Sequence, residues 1–151
     1  MQSEELDQLL VQLCEAIGLA DSSDVINRRL IEVDGFECSF DISESDPDAL
    51  YLLVNFGFTT AGRTLKLFRA MLEANLLVYA QDQAQLGIDP ETGTILLIIR
   101  IVVSGDIDGY WLADTLSHYS EHGRYWREQL FTSEDEMFDA MLSGDYIWMR
   151  V

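Results

Sequence analysis

One predicted helix near the middle of the chain has more apolar surface than a small sheet can cover. The residues from Arg63 to Tyr79 form this helix, and apolar side chains recur along two nearly opposite sides of it. One side carries Leu65, Phe68, Leu72, Leu76 and Tyr79. The opposite side carries Leu67, Met71, Ala74 and Val78. Because a helix that packs on a sheet buries one apolar face, a helix with two such faces needs a second partner.

The strand predicted around Ile95 to Ile99 gives the same indication, because it is apolar at odd and even positions alike. The third helix and the carboxyl tail of the same chain are one source of cover for these surfaces. A second copy of the chain is the other, and we favour it because most soluble oligomers are symmetric homodimers. Each copy carries a net charge of −18, so we expect the homodimer to become tighter as salt screens the repulsion.

The remaining periodicities predict an α+β fold. A first helix spans residues 4 to 17, and the Asp34-Gly35 pair joins two alternating strands into a hairpin. A third strand covers residues 50 to 58, a second hairpin surrounds residues 89 to 93, and a long helix runs from 110 to 130. This order, α-β-β-β-α-β-β-α, lacks a βαβ rhythm. It predicts an antiparallel five-stranded sheet with three main helices.

The segments between these elements are predicted to be irregular. Asp21 to Asp24 is a polar link, Ser43 to Asp48 is a loop, and Gly123 is a possible kink in the last helix. Residues 1–131 are expected to form one domain. Residues 132–151 contain an acidic segment and an apolar end, and we expect them to be an extension that packs on that domain.

The charge balance excludes several classes of partner. Asp and Glu number 27 against nine Lys and Arg, which disfavours nucleic acid and anionic membranes as ligands. No run of about 18 apolar residues is present to span a bilayer, and Met1 to Asp7 carries acids where a secretory signal carries bases. We therefore expect a cytoplasmic protein. Cys14 and Cys38 each lie in an apolar pattern typical of a small buried side chain.

Two short motifs resemble metal sites, but each is incomplete. His118, Glu121 and His122 fit the H-x-x-E-H pattern of inverted zinc proteases, yet a third ligand is required and only 29 residues follow. The residues from Asp106 to Gly109 resemble part of a calcium loop without its closing Glu. A solvated helix face and a turn explain them better. We expect no metal, no cofactor and no catalytic activity.

The central sequence, LFRAMLEANLL at 67–77 followed by LGIDPETG at 86–93, resembles class I type III secretion chaperones of the Tir-chaperone (CesT-like) family. The resemblance covers roughly residues 4 to 130. It implies a homodimer in the bacterial cytoplasm that binds the amino-terminal chaperone-binding segment of a secreted effector. The segment winds around the dimer in an extended form and stays soluble and competent for export. The export apparatus is a further partner that the resemblance suggests.

The resemblance also implies where the partners bind. The second main helix would lie at the dimer seam, which nominates Leu67, Met71, Ala74 and Val78. The first helix and the late strands would form an effector groove, which nominates Leu6, Leu10, Leu13 and Ile17. The same residues are equally good core positions.

An alternative function follows from the charge alone. Small acidic proteins can inhibit basic toxins or nucleases by presenting carboxylates where phosphates would bind, as an immunity protein does. Such an inhibitor concentrates its acids on one face. Here they are dispersed along the chain, which favours the chaperone.

Overall fold

The computed structural model describes residues 1–58 and 64–131. The helices and strands follow the predicted α+β order, with one additional short helix after the first. The elements are α1 (Ser3–Ala16), α2 (Ser23–Arg28), β1 (Leu30–Val33), β2 (Phe36–Ser43), β3 (Asp46–Gly57), α3 (Thr64–Asp82), β4 (Ala84–Ile88), β5 (Ile95–Val102), α4 (Gly109–Tyr125) and a π-helical segment, Trp126–Phe131.

The strands form a five-stranded sheet in the order β1-β2-β3-β5-β4. The β1–β2, β2–β3 and β4–β5 pairs are antiparallel, which confirms the predicted fold class. The first hairpin turns at Asp34 and Gly35, whose φ angles are 52° and 81°. Positive φ at both positions is the type I′ geometry that an Asp-Gly pair adopts at low cost, so this hairpin was predictable from its sequence.

Three local predictions differ from the structure. Part of the predicted polar link forms α2, which has one buried apolar residue, Val25, and therefore no periodic stripe to reveal it. The predicted loop at 43–48 is a tight turn, because Ser43 already pairs with Asp46 at the start of β3. The last helix has no break at Gly123: α-helical structure continues to Tyr125 and then becomes π-helical.

The chain divides into two compact units. Among the described residues, the first comprises Met1–Val54 and Arg100–Ser120, and the second comprises residues 55–58, 64–99 and 121–131. β3 and β5 each contribute residues to both units.

The first unit contains a close crossing of two helices. Gly109, the first residue of α4, lies against the backbone of Gln12 and Leu13 in α1, and a Cβ atom at position 109 would overlap that backbone. The same unit holds the fully buried side chains Leu6, Leu10, Leu13, Leu50, Leu52, Leu112 and Leu116. Glycine is therefore required at this crossing for lack of space.

In the second unit, α3 packs against β4. The Asn75 side chain joins the two elements: its Nδ2 donates to the carbonyl oxygen of Leu86 at 3.0 Å, and its Oδ1 accepts from the Leu86 amide at 2.6 Å. The buried face of α3 is formed by small and medium apolar residues, Leu67, Ala70, Met71 and Ala74.

Some predictions fall on residues 59–63 and 132–151. Arg63 at the start of the predicted middle helix, the acidic segment and the apolar end of the chain lie outside the described residues. Within residues 1–58 and 64–131, none of the helices combines the length and apolar character needed to cross a bilayer.

Candidate functional site

The exposed side of α3 carries a row of large apolar side chains. Leu65, Leu72, Leu76 and Tyr79 lie at spacings of seven, four and three residues, which places them on one helix face. Their exposed fractions are 84%, 72%, 78% and 56%. Large side chains that remain this exposed in one row indicate a surface made for a partner.

The opposite side of α3 is the one for which a dimer seam was predicted. Leu67 and Ala74 are fully buried, Met71 is 5% exposed, and Val78 is half-buried. These residues face the interior of their own chain. The two-sided apolar pattern is thus correct, and the structure puts the accessible side on the row that begins at Leu65.

The predicted effector-binding residues of α1 likewise differ in how far they are exposed. Leu6, Leu10 and Leu13 have no exposed surface, whereas Ile17 is 45% exposed at the end of the helix. Leu19, which follows Gly18, is 43% exposed. The three leucines hold α1 in position. Ile17 is the member of the predicted set that a partner can reach in this conformation.

The predicted two-sided strand β5 is covered unequally. Ile95, Leu97 and Ile99 are buried, while Leu96 and Ile98 on the other face are half-buried. One face of the strand therefore belongs to the core of the chain, and the other retains accessible apolar surface.

A polar cluster in the first unit joins β3 to β5. The Arg100 guanidinium binds both carboxylate oxygens of Asp46, at 2.6 and 2.8 Å, and the Tyr51 hydroxyl donates to Asp46 at 2.7 Å. These hydrogen bonds favour the ionised carboxylate and lower the pKa of Asp46 to about 2. The same bonds raise the pKa of Arg100 and of Tyr51. The cluster fixes the start of β3.

The two cysteine thiols are buried, and His118 of the histidine motif packs against a neighbouring aromatic ring. Burial is the main reason that both thiols have a raised pKa, and it raises the pKa of Cys38 to about 12. The ring of His118 stacks edge-on against Tyr119 with centroids 5.0 Å apart. Among residues 1–58 and 64–131, no three His, Cys, Asp or Glu side chains are grouped closely enough to hold a metal ion.

Two residues that sequence reasoning passed over position these elements. Asn75 ties α3 to β4, and Gly109 lets α4 approach α1. An amide between the apolar residues Ala74 and Leu76 is a signal that could have singled out Asn75. Gly109 gives no such signal. A glycine between a turn and a helix is common, so the sequence does not show that this one is needed for a close helix crossing.

No curated protein matches the chain significantly in sequence. Solved structures share its fold: the ExsC–ExsE complex matches with a TM-score of 0.67 and 17% identity, over 87% of this chain and 98% of that chain. The HopA1–SchA chaperone–effector complex matches with a TM-score of 0.59 and 18% identity, over 85% and 98%. The heterodimeric ExoU–SpcU complex from the type III secretion system of Pseudomonas aeruginosa matches with a TM-score of 0.50 and 19% identity, over 82% and 94%.

At these identities the structural likeness concerns the fold. The sequence itself matches the model of the Tir chaperone protein (CesT) family over residues 8–127, which is most of its length. The match agrees with the resemblance seen in the central sequence and includes α3 and both hairpins. The chain belongs to the Tir chaperone protein (CesT) family.

Proposed function

We propose that this chain works as a homodimer in the bacterial cytoplasm and holds the amino-terminal chaperone-binding segment of a secreted effector in an extended form. As a member of the Tir chaperone family, it is a type III secretion chaperone that binds effectors. The proposal adds the oligomeric state, the form of the bound segment and the location. The proposed activity is binding without catalysis, and the export apparatus is a further proposed partner.

The observation that carries the dimer is the exposed row of α3. Burying one large apolar side chain stabilises an assembly by about 1.5–3 kcal/mol, and this row offers Leu65, Leu72, Leu76 and Tyr79. A two-fold interface uses the same patch on both copies, so one continuous row on a single helix suits it. Leu67, Met71, Ala74 and Val78 then support the helix from inside each subunit.

For the effector, we propose the surface around Ile17, with Leu6, Leu10 and Leu13 holding α1 beneath it. An extended segment can insert alternate side chains into apolar pockets while its main chain adds to a sheet edge. Solved complexes of the same fold include a chaperone with its effector, which supports an effector as the partner. Residues 132–151 are proposed as an extension that packs on the domain of residues 1–131.

Sedimentation of matched variants tests the dimer. We expect the native chain to sediment as a dimer at micromolar concentration, and more completely in moderate than in low salt. Leu72→Ser combined with Leu76→Ser should give a folded monomer. Arg69→Gln is the control, because Arg69 lies on the same helix and forms an exposed ion pair with Glu73. A native monomer in both salts would contradict the dimer.

Affinity capture from the source bacterium followed by limited proteolysis tests the effector. We expect a protected fragment near the amino terminus of a larger secreted protein. Its binding should show a large negative heat-capacity change and modest salt dependence. Capture of an intact folded basic toxin, with affinity that falls steeply as salt rises, would instead favour the acidic inhibitor.

A further inference from the structure

Two exposed aromatic residues, Tyr110 and Trp111, follow directly after the close crossing of α4 with α1. Their exposed fractions are 72% and 40%, whereas Leu112 and Leu116 of the same helix have no exposed surface. The Trp111 amide donates to the Asp108 carboxylate at 2.8 Å, and this cap fixes the first turn of α4. Both aromatic residues are therefore exposed to solvent on a capped helix turn.

The end of α1 carries a second exposed pair, Ile17 and Leu19. The Leu19 amide donates to the Cys14 carbonyl oxygen at 2.8 Å, and Gly18 between the pair has a φ angle of 76°. This is the Schellman ending, which fixes the residues that follow a helix. Because Gly109 lies against the backbone close to the end of α1, the aromatic pair and the aliphatic pair border the same crossing. The crossing patch consists of these four residues, Ile17, Leu19, Tyr110 and Trp111.

The charges around the crossing patch are negative. Residues 1–27 and 101–117, which include all four members of the patch, contain no Lys, Arg or His. Asp114 is exposed and lies four residues after Tyr110 and three after Trp111, which places it on their side of α4. The capping carboxylate of the helix lies on the same turn as the two aromatic residues. The patch therefore combines exposed rings with nearby carboxylates.

This combination favours a guanidinium over the other charged groups of proteins. The face of a Trp or Tyr ring attracts a cation. A guanidinium can lie flat on such a ring while its N–H groups reach a carboxylate, and an ammonium lacks this planar geometry. The aliphatic pair at the end of α1 offers apolar surface to the side chain next to the cation.

We propose that the crossing patch recognises an Arg next to a large apolar residue in the bound segment. The Arg lies on Tyr110 and Trp111, and its neighbour covers Ile17 and Leu19. The inference rests on the proposed function, because it specifies what the effector segment carries where it passes Ile17. It assigns Tyr110, Trp111 and Asp114 as specificity-determining residues that α4 adds to the surface at the end of α1.

NMR of the full chain with a defined peptide tests this recognition. The probe is the nine-residue peptide Ser-Gly-Ser-Leu-Arg-Leu-Ser-Gly-Ser, and the matched control replaces its Arg with citrulline, which has a similar shape and no charge. We expect the Arg peptide to shift the indole N–H signal of Trp111 and to bind about two- to fivefold more tightly than the control. Equal affinities, or an unchanged Trp111 signal at millimolar peptide, would overturn the proposal.

Substitution of the larger ring tests whether the aromatic pair is the source of the preference. Trp111→Leu keeps a large apolar side chain without a ring face, so it should reduce the difference between the two peptides. Trp111→Phe should retain part of that difference. An undiminished difference in Trp111→Leu would overturn the role of the ring. Should that variant fail to fold, Tyr110→Leu provides the same comparison at a residue that is 72% exposed.

A single charge removal tests the contribution of the carboxylates. Asp114→Asn should weaken the Arg peptide by about twofold, the size expected of an exposed ion pair, and leave the citrulline peptide unchanged. Glu91→Gln makes the same change in net charge on an exposed turn outside the patch and should leave both affinities unchanged. Equal responses of Asp114→Asn and Glu91→Gln would overturn the assignment of Asp114.

The captured effector separates this inference from the proposed function. A protected segment should contain an Arg next to a large apolar residue, and replacing that Arg with Gln should weaken the segment's binding to the native chain more than to Trp111→Leu. Capture of a segment without such an Arg would overturn the inference alone. Failure to capture any segment would overturn the proposed function.

Discussion

Helices α1 and α3 are both rich in leucine, yet they expose it very differently. In α1 the apolar residues form one stripe, and Leu6, Leu9, Leu10 and Leu13 are all buried. In α3 the apolar residues form two stripes, of which one is buried and the other keeps Leu65, Leu72 and Leu76 largely exposed. A single stripe is satisfied within the chain. A second stripe is the feature that indicates a partner.

The two sides of α3 also differ in the size of their side chains. The buried stripe of α3 contains alanines at 70 and 74, which allow close approach, whereas the exposed stripe carries large side chains. Small residues suit a helix that packs tightly on its own sheet. Large residues suit a surface that gains by association, because the free energy follows the apolar area buried.

The largest effect is expected where α1 meets α4. Gly109→Ala introduces a Cβ that overlaps the backbone of Gln12 and Leu13, so we expect a loss of about 3 kcal/mol or more in unfolding free energy. Urea unfolding followed by tryptophan fluorescence measures it. Gly105→Ala is the control, since a Cβ there meets no atom within 4 Å. Equal stability of the two variants would show that the crossing is loose.

The next largest effect is expected from truncating a buried leucine of α1, for comparison with an exposed leucine of α3. Leu10→Ala removes a fully buried side chain and should cost about 3 kcal/mol of stability. Leu76→Ala removes one that is 78% exposed and should change the stability of the monomer by less than about 0.5 kcal/mol. Urea midpoints measured at several subunit concentrations separate folding from association. Similar losses at low concentration would contradict the distinction between the two helices.

A smaller effect is expected from removing the Asn75 side chain, which joins α3 to β4. Asn75→Ala removes two hydrogen bonds to Leu86 and leaves its partly buried backbone groups unpaired, which should cost about 1–2 kcal/mol. Gln85→Ala, on the exposed side of the same strand, should cost much less. Thermal or urea unfolding of both variants provides the measurement. A neutral Asn75→Ala would mean that water replaces the amide without loss.

The smallest effect is a pH dependence confined to the first unit. The folded pKa of Asp46, about 2, lies below the ordinary value, so its ion pair stabilises the folded chain at pH above about 4. This contribution is lost as the pH falls from about 4 to about 2. The stability difference between the native chain and Asp46→Asn should shrink over the same range. A difference that stays constant down to pH 2 would contradict the lowered pKa.

Several elements were predictable because local chemistry decides them. Asp34-Gly35 imposes its turn, and the single stripe of α1 can be buried in only one way. Which stripe of α3 faces inward depends on the shape of the sheet beneath it, and periodicity carries no information about that shape. The start of β3 at Asp46 depends on Arg100, 54 residues later. Such long-range contacts are not encoded in a local pattern.

The Asn75 side chain of α3 protects the middle of the outer strand β4 from pairing with another chain. A sheet whose two outer strands are both exposed can pair with further chains at each edge, as the sheets of fibrils do. The Asn75 side chain occupies both the N–H and the C=O of Leu86, so a further strand would have to displace it in order to pair with Leu86. Copies of this chain are therefore hindered from adding to one another through the centre of β4.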